Sequence, residues 1–158
     1  MEKKLSHIND GNPEMVDVGA KTAALRTATA RAIVRFPAEV WDILARDGFT
    51  TPKGALLQTA NLAGVMAAKQ TSSLIPLCHP LALEKVSIRF EQAAPDLHIL
   101  CEARITSKTG VEMEALTGAS IAALTVYDMC KALSHDIQIT AVRLESKRGG
   151  KNDFSRET

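Results

Sequence analysis

Asp128 and Lys131 stand one helical turn apart near the end of an apolar run, Gly110 to Leu133, whose other charges, Glu112 and Glu114, lie at its start. At about 100° per residue, Thr117, Ile121, Leu124, Asp128 and Lys131 fall on one narrow stripe. Burying either charge alone costs several kcal/mol or more, so a core stripe that runs into this pair implies either a structural ion pair or a catalytic pair in a pocket. Cys78-His79 lies between Pro76 and Pro80, in a stretch that cannot be regular structure because each proline drives its predecessor out of the α region. Such a loop either packs or holds a histidine against a substrate. As a zinc site it is poor: there is no C-x-x-C, and Cys101 and Cys130 sit in strand and helix patterns. Glu112-Met113-Glu114 occupies a first helical turn, where carboxylates favour the positive dipole end. Side chains two apart point to different sides, so one of the two glutamates is expected to face inward. Lys21, Arg26, Lys53, Lys147, Arg148 and Lys151 come from separate segments, all at element ends. They are a solvated surface or, if they converge, an anion cradle suited to a polyphosphate. No P-loop, G-x-G-x-x-G or G-x-S-x-G string occurs.

The elements that position these groups follow from periodicity. Residues 1–20 read as a polar arm, with Met15-Val16-Asp17-Val18 as a short ordered piece. Thr22 to Phe36 alternates like a strand, rich in alanine, with Arg26 on the alanine face. Pro37 opens a helix over Ala38 to Arg46 that stops at Asp47-Gly48, and a second helix is expected from about Lys53 to Ser72. Two alternating runs, Lys85 to Glu91 and Leu97 to Ile105, make a hairpin around Pro95. The long helix over Gly110 to Leu133 follows, then a strand from Ile137 to Leu144. Reduced to sheet-forming units this is β-α-β-β-α-β with an extra helix in the first crossover, an α+β, ferredoxin-like order. The domain is expected over residues 21–146, with a flexible basic tail over 147–158. A helix apolar all round in so small a domain needs a second covering surface, most simply another subunit.

Composition narrows the function. Nineteen basic against eighteen acidic residues leave a net charge of +1, and aromatics are 4 %. Neither a field nor a stacking platform for nucleic acid is present. No apolar run approaches a membrane span, and the first residues lack a signal-peptide core. Three cysteines in apolar segments suit reduced thiols and a cytoplasmic location.

Several strings together carry a family resemblance: MVDV at residues 15–18, AGVMAAK at 63–69, LIPLCHPL at 74–81, GVEMEALT at 110–117, YDMCKA at 127–132 and GGK at 149–151. The chain resembles the molybdenum cofactor biosynthesis protein C (MoaC) family of cyclic pyranopterin monophosphate synthases over residues 5–154. The resemblance implies a ferredoxin-like subunit in a homohexamer, a trimer of dimers, with active sites at the dimer interface. It implies conversion of 3′,8-cyclo-7,8-dihydroguanosine 5′-triphosphate to cyclic pyranopterin monophosphate with loss of pyrophosphate. No cofactor is expected, and no metal ligand is assigned. Asp128 and Lys131 match the central catalytic positions. Leu77, Cys78, His79, Met113 and Glu114 match substrate-binding segments, and Glu112, Lys21, Arg26, Lys53 and Lys147 match further active-site positions. Gly19, Ala55 and Gln70 depart from the family pattern; Ala55 bears on how Lys53 is held. The competing readings are a nucleotide-binding ferredoxin-like module without turnover and an RNA-binding domain, the latter opposed by the lack of aromatic doublets on the strands.

Overall fold

A computed structural model describes residues 8–9 and 11–157. Its central strand is β1 (Ala24–Arg35), followed by α1 (Ala38–Arg46), α2 (Leu56–Lys69) and the single turn α3 (Thr71–Leu74). A hairpin of β2 (Lys85–Ala93) and β3 (Asp96–Ser107), the long helix α4 (Glu112–Cys130), β4 (Gln138–Arg148) and a two-residue β5 (Phe154–Ser155) complete the chain. The five strands run antiparallel in the order β2–β3–β1–β4–β5, and α2 and α4 lie side by side on one face. This is the α+β ferredoxin-like arrangement.

The alanines of β1 have a packing reason. Ala28, Ala30 and Ala32 are fully buried beneath α4, whose own Ala115, Ala119, Ala122 and Ala123 are fully buried too. Small side chains on both surfaces let helix and sheet approach closely. Helix α2 meets α4 through glycine: a Cβ at Gly64 would lie 2.9 Å from the Gly118 carbonyl oxygen, and one at Gly118 2.6 Å from Cys101 Sγ. Any larger residue at either position would overpack the contact. Trp41 of α1, set against Phe36 and edge-on to Phe49, closes one end of the core.

Four sequence expectations change. Helix α2 starts at Leu56, because Thr50–Thr51 and Gly54–Ala55 form a small hairpin around Lys53. Gly54 supplies the positive φ (115°) that this turn requires. The stripe through Thr117 and Leu124 is not a core stripe along its whole length: Thr117 is buried, whereas Leu124 is 52 % exposed. Asp128 and Lys131 therefore lie in solvent within one chain, and the burial cost that made the pair notable is absent there. The last strand runs past Leu144 to Arg148, so Lys147 belongs to the sheet and does not begin a free tail. Finally, β5 returns to pair with β4, adding a strand the periodicity did not reveal. Among the described residues no helix is long and apolar enough to cross a membrane.

Candidate active site

Two adjoining cavities open at the N-terminal end of α4, one of ≈ 340 Å³ and one of ≈ 490 Å³, sharing Lys21, Thr109, Gly110, Glu112 and Lys147. The smaller is basic. Lys21, Arg26, Lys108, Lys147, Arg148 and Lys151 line it, against one carboxylate, Glu112.

Each cation is delivered by a distinct piece of local structure. Arg26 shares the inward face of β1 and is steadied by its Nε, which donates to the Ser107 carbonyl at 3.3 Å. Lys147 reaches the same face through an irregularity. The β1–β4 register pairs Ala30 with Leu144 but Thr29 with Ser146, so Glu145 is the extra residue of a bulge. Simple alternation from the inward Leu144 would turn Lys147 outward. The bulge instead sets it opposite buried Ala28, on the helix side. There its Nζ lies 3.0 Å from Glu112 Oε1. After Arg148 the chain turns at Gly149, whose φ of +85° and close approach to the Leu25 carbonyl leave no room for a side chain. Lys108 Nζ donates to the Gly19 carbonyl at 2.7 Å and so pins the segment that carries Lys21.

The larger cavity is lined by Leu77, Cys78, His79, Met113 and Glu114 beside Val16 and Val18. His79 Nε2 lies 2.8 Å from the Val16 carbonyl. A carbonyl only accepts, so Nε2 carries the proton, and Nδ1 is the nitrogen left for a ligand. Glu114 is buried, and burial followed by the nearby Glu112 charge raises its carboxyl above the usual range. Burial also raises the Cys78 thiol, with Glu114 adding to the effect. The two glutamates thus divide as their spacing requires: Glu114 turns inward, while Glu112 faces the basic cavity. Among the described residues no group of three His, Cys, Asp or Glu side chains stands together as a metal site, and the three cysteines are unpaired.

The remaining predicted residues are elsewhere. Asp128 and Lys131 lie at the other end of α4, and neither they nor Lys53 line these cavities. Asp128 Oδ1 is 2.8 Å from Lys131 Nζ and its Oδ2 2.9 Å from Lys53 Nζ, which also donates to the Asp128 carbonyl at 2.9 Å. Hydrogen bonds from Lys131 and then Lys53 lower the Asp128 carboxyl to about 2, and the bond from Asp128 in turn raises the Lys131 amine. Ala55 does not disturb this: the Lys53 N–H donates to Thr51 Oγ1 at 3.2 Å, and its ammonium is fixed on Asp128. Glu112 and Asp128 are sixteen residues apart on one helix, about 24 Å along its axis. One chain therefore gathers the candidate residues into two separate clusters, a cradle with a cavity at one end of α4 and an ion triad at the other.

The cradle can hold several phosphate oxygens. Lys108 was missed by sequence reasoning; its place in the short connection before an apolar helix was the one available signal.

A family model described as the MoaC family matches residues 15–150. The chain belongs to the MoaC family. It is 53 % identical over 153 residues to a cyclic pyranopterin monophosphate synthase of Xanthomonas oryzae pv. oryzae, covering 96 % of this chain and 93 % of that protein. A protein of the same name from a Roseiflexus species is 50 % identical over 154 residues, 95 % of this chain and 96 % of the other. Molybdenum cofactor biosynthesis protein 1 of Drosophila melanogaster is 48 % identical over 157 residues; the match covers 98 % of this chain and 27 % of that longer protein. The strings that carried the MoaC resemblance now have locations: LIPLCHPL and GVEMEALT frame the larger cavity, while YDMCKA holds two members of the ion triad.

Proposed function

We propose that this chain is a cyclic pyranopterin monophosphate synthase, acting on 3′,8-cyclo-7,8-dihydroguanosine 5′-triphosphate and releasing pyrophosphate. The observation that carries the reading is the join between a cradle of six cations and a cavity containing His79, Glu112 and Glu114. It suits a ligand with a triphosphate at one end and a polar ring system at the other. Arg26, Lys21 and Lys147 hold phosphate oxygens. In the closing step a substrate hydroxyl attacks the α-phosphorus, and its proton passes to the departing pyrophosphate. The bond to the bridging oxygen breaks, and pyrophosphate departs with that electron pair. The charge growing on the leaving group is what the fixed cations stabilise. Cys78, His79 and the two glutamates, with Leu77 and Met113, hold the pterin and sugar part.

Rearranging the ring system also needs proton transfers, and Lys131, oriented by Asp128, is the residue we assign to them. A second copy of the chain completes the site. Leu62, Met66, Leu74, Leu124 and Leu133 leave apolar surface on and around α2, α3 and α4. A two-fold arrangement that lays α4 antiparallel to its copy covers this surface and brings one chain's ion triad to the other's cradle. A homohexamer of three such dimers is the assembly that the family resemblance implies. The two-fold docking also meets a chemical requirement. Within one chain Asp128 holds Lys131 protonated; desolvation and neighbouring cations from the partner's cradle move an amine back towards neutrality, where it both gives and takes protons.

Incubating the purified chain with the cyclic triphosphate tests the reading: cyclic pyranopterin monophosphate and pyrophosphate form together, and Lys131→Ala lowers kcat by about 10²–10⁴-fold. Tight binding with no pyrophosphate release would favour a nucleotide-binding module instead. A light-scattering mass equal to one chain would refute the shared site.

A further inference from the structure

The end of the chain lies beyond the residues 15–150 matched by the family model, yet it folds back onto the sheet beside the cradle. Phe154 pairs with Lys147 and Ser155 with Ser146, the two residues immediately after the bulge at Glu145. Asp153 Oδ1 accepts the Gly149 N–H at 3.0 Å and closes the turn that leads to Gly150 and Lys151 in the basic cavity. Arg156 fastens the far end. Its backbone N–H donates to the Glu145 carbonyl at 2.9 Å, its Nε donates to the Leu144 carbonyl at 2.8 Å, and its guanidinium sits 5.5 Å from the Phe154 ring centre.

Residues 153–157 are all exposed, so these contacts add little to the core. They converge on the stretch whose register aims Lys147. A bulge leaves a residue unpaired and loosens the ladder. A slip of one residue turns every side chain beyond it to the other face, which would take Lys147 away from Glu112. Pairing with β5 on the open edge of β4 opposes that slip, and the Asp153 bond sets the backbone of the following turn.

We propose that the C-terminal return is a clamp on the anion cradle, with Asp153 as a positioning residue for the part that receives the substrate's polyphosphate; this rests on the synthase reading above. Three variants test it on the assembled protein: Asp153→Ala, Asp153→Asn, which keeps an oxygen acceptor, and a chain ending at Asn152. Losing one such hydrogen bond raises KM for the cyclic triphosphate about fivefold, and the shortened chain raises it roughly tenfold or more. In both, kcat stays within about twofold and Tm falls by about 2–4 °C per hydrogen bond lost, while Asp153→Asn keeps the native KM and Tm. Inorganic triphosphate, titrated by calorimetry, weakens by the same factors. An unchanged KM in both Asp153→Ala and the shortened chain overturns the proposal. So does a fall in kcat alone, or a failure of asparagine to preserve KM. If the native chain releases no pyrophosphate, the synthase reading fails; the affinity for inorganic triphosphate then still decides for or against the clamp.

Discussion

Shared sites predict a definite number. Consider one variant without the cradle's grip, Arg26→Ala with Lys147→Ala, and another without the proton-transfer group, Lys131→Ala. Removing two charge-assisted contacts costs about 3 kcal/mol or more, roughly 150-fold in kcat/KM. Removing a general acid/base costs about 10²–10⁴-fold. Each parent thus retains about 1 % of native activity or less. Glu112 and Asp128 are about 24 Å apart along α4, farther than two extended side chains can reach. On the two-chain reading proposed above, a site draws its cradle from one chain and its triad from another. After equimolar unfolding and random reassembly, half of the sites receive an intact cradle, and half of those an intact triad. About one quarter of native kcat/KM returns, measured as pyrophosphate released at substrate well below KM. Co-purification of differently tagged chains verifies mixing. Recovery no higher than the mean of the parents, with mixing verified, would refute the two-chain site.

Three further outcomes follow from local geometry. Gly149→Ala places a side chain at φ +85° against the Leu25 carbonyl; the left-handed penalty of about 1–2 kcal/mol lowers Tm by roughly 2–8 °C and raises KM. Gly150→Ala, whose new Cβ would meet the end of the Arg26 side chain at 3.2 Å and the Asn152 carbonyl at an ordinary 3.9 Å, has a smaller effect on Tm. Burial raises the Glu114 pKa, so the folded chain binds that proton more tightly than the unfolded chain, and stability is lost as pH rises through the folded value. Glu114→Gln accordingly melts higher than the native chain at neutral pH, and calorimetric scans show the gap closing towards about pH 4. A gap independent of pH would contradict a charged, desolvated Glu114. Asp128→Asn removes the largest cause of the raised Lys131 amine, so nuclear magnetic resonance titration of Lys131 Nζ shows its pKa falling.

Much of the fold was legible because it depends on local periodicity. The alternation of β1, β2 and β3 reports which face is buried, and the apolar run of α4 required cover on more than one side. What misled was extrapolation of a period. The stripe from Thr117 to Lys131 is regular in the helix, but at its end the core covers another face, through Val126, Met129 and Cys130, so Leu124 and Asp128 emerge into solvent. In β4 the opposite happened, because a bulge interrupted the period after Leu144 and no residue type there announces it.

By itself the sequence determined the catalogue of reactive residues: the LCH loop between prolines, the two glutamates at a helix start, the Asp–Lys pair at its end, and scattered cations at element ends. These are matters of residue type and spacing along one chain. Only the tertiary structure decided their grouping, since it depends on register and length. One extra residue in β4 turns Lys147 into the cradle, a carbonyl of the N-terminal segment engages one nitrogen of His79, and Lys108 joins because it ties down the segment bearing Lys21. The length of α4 then separates cradle from triad, and that separation is the physical reason we propose a site built by two copies.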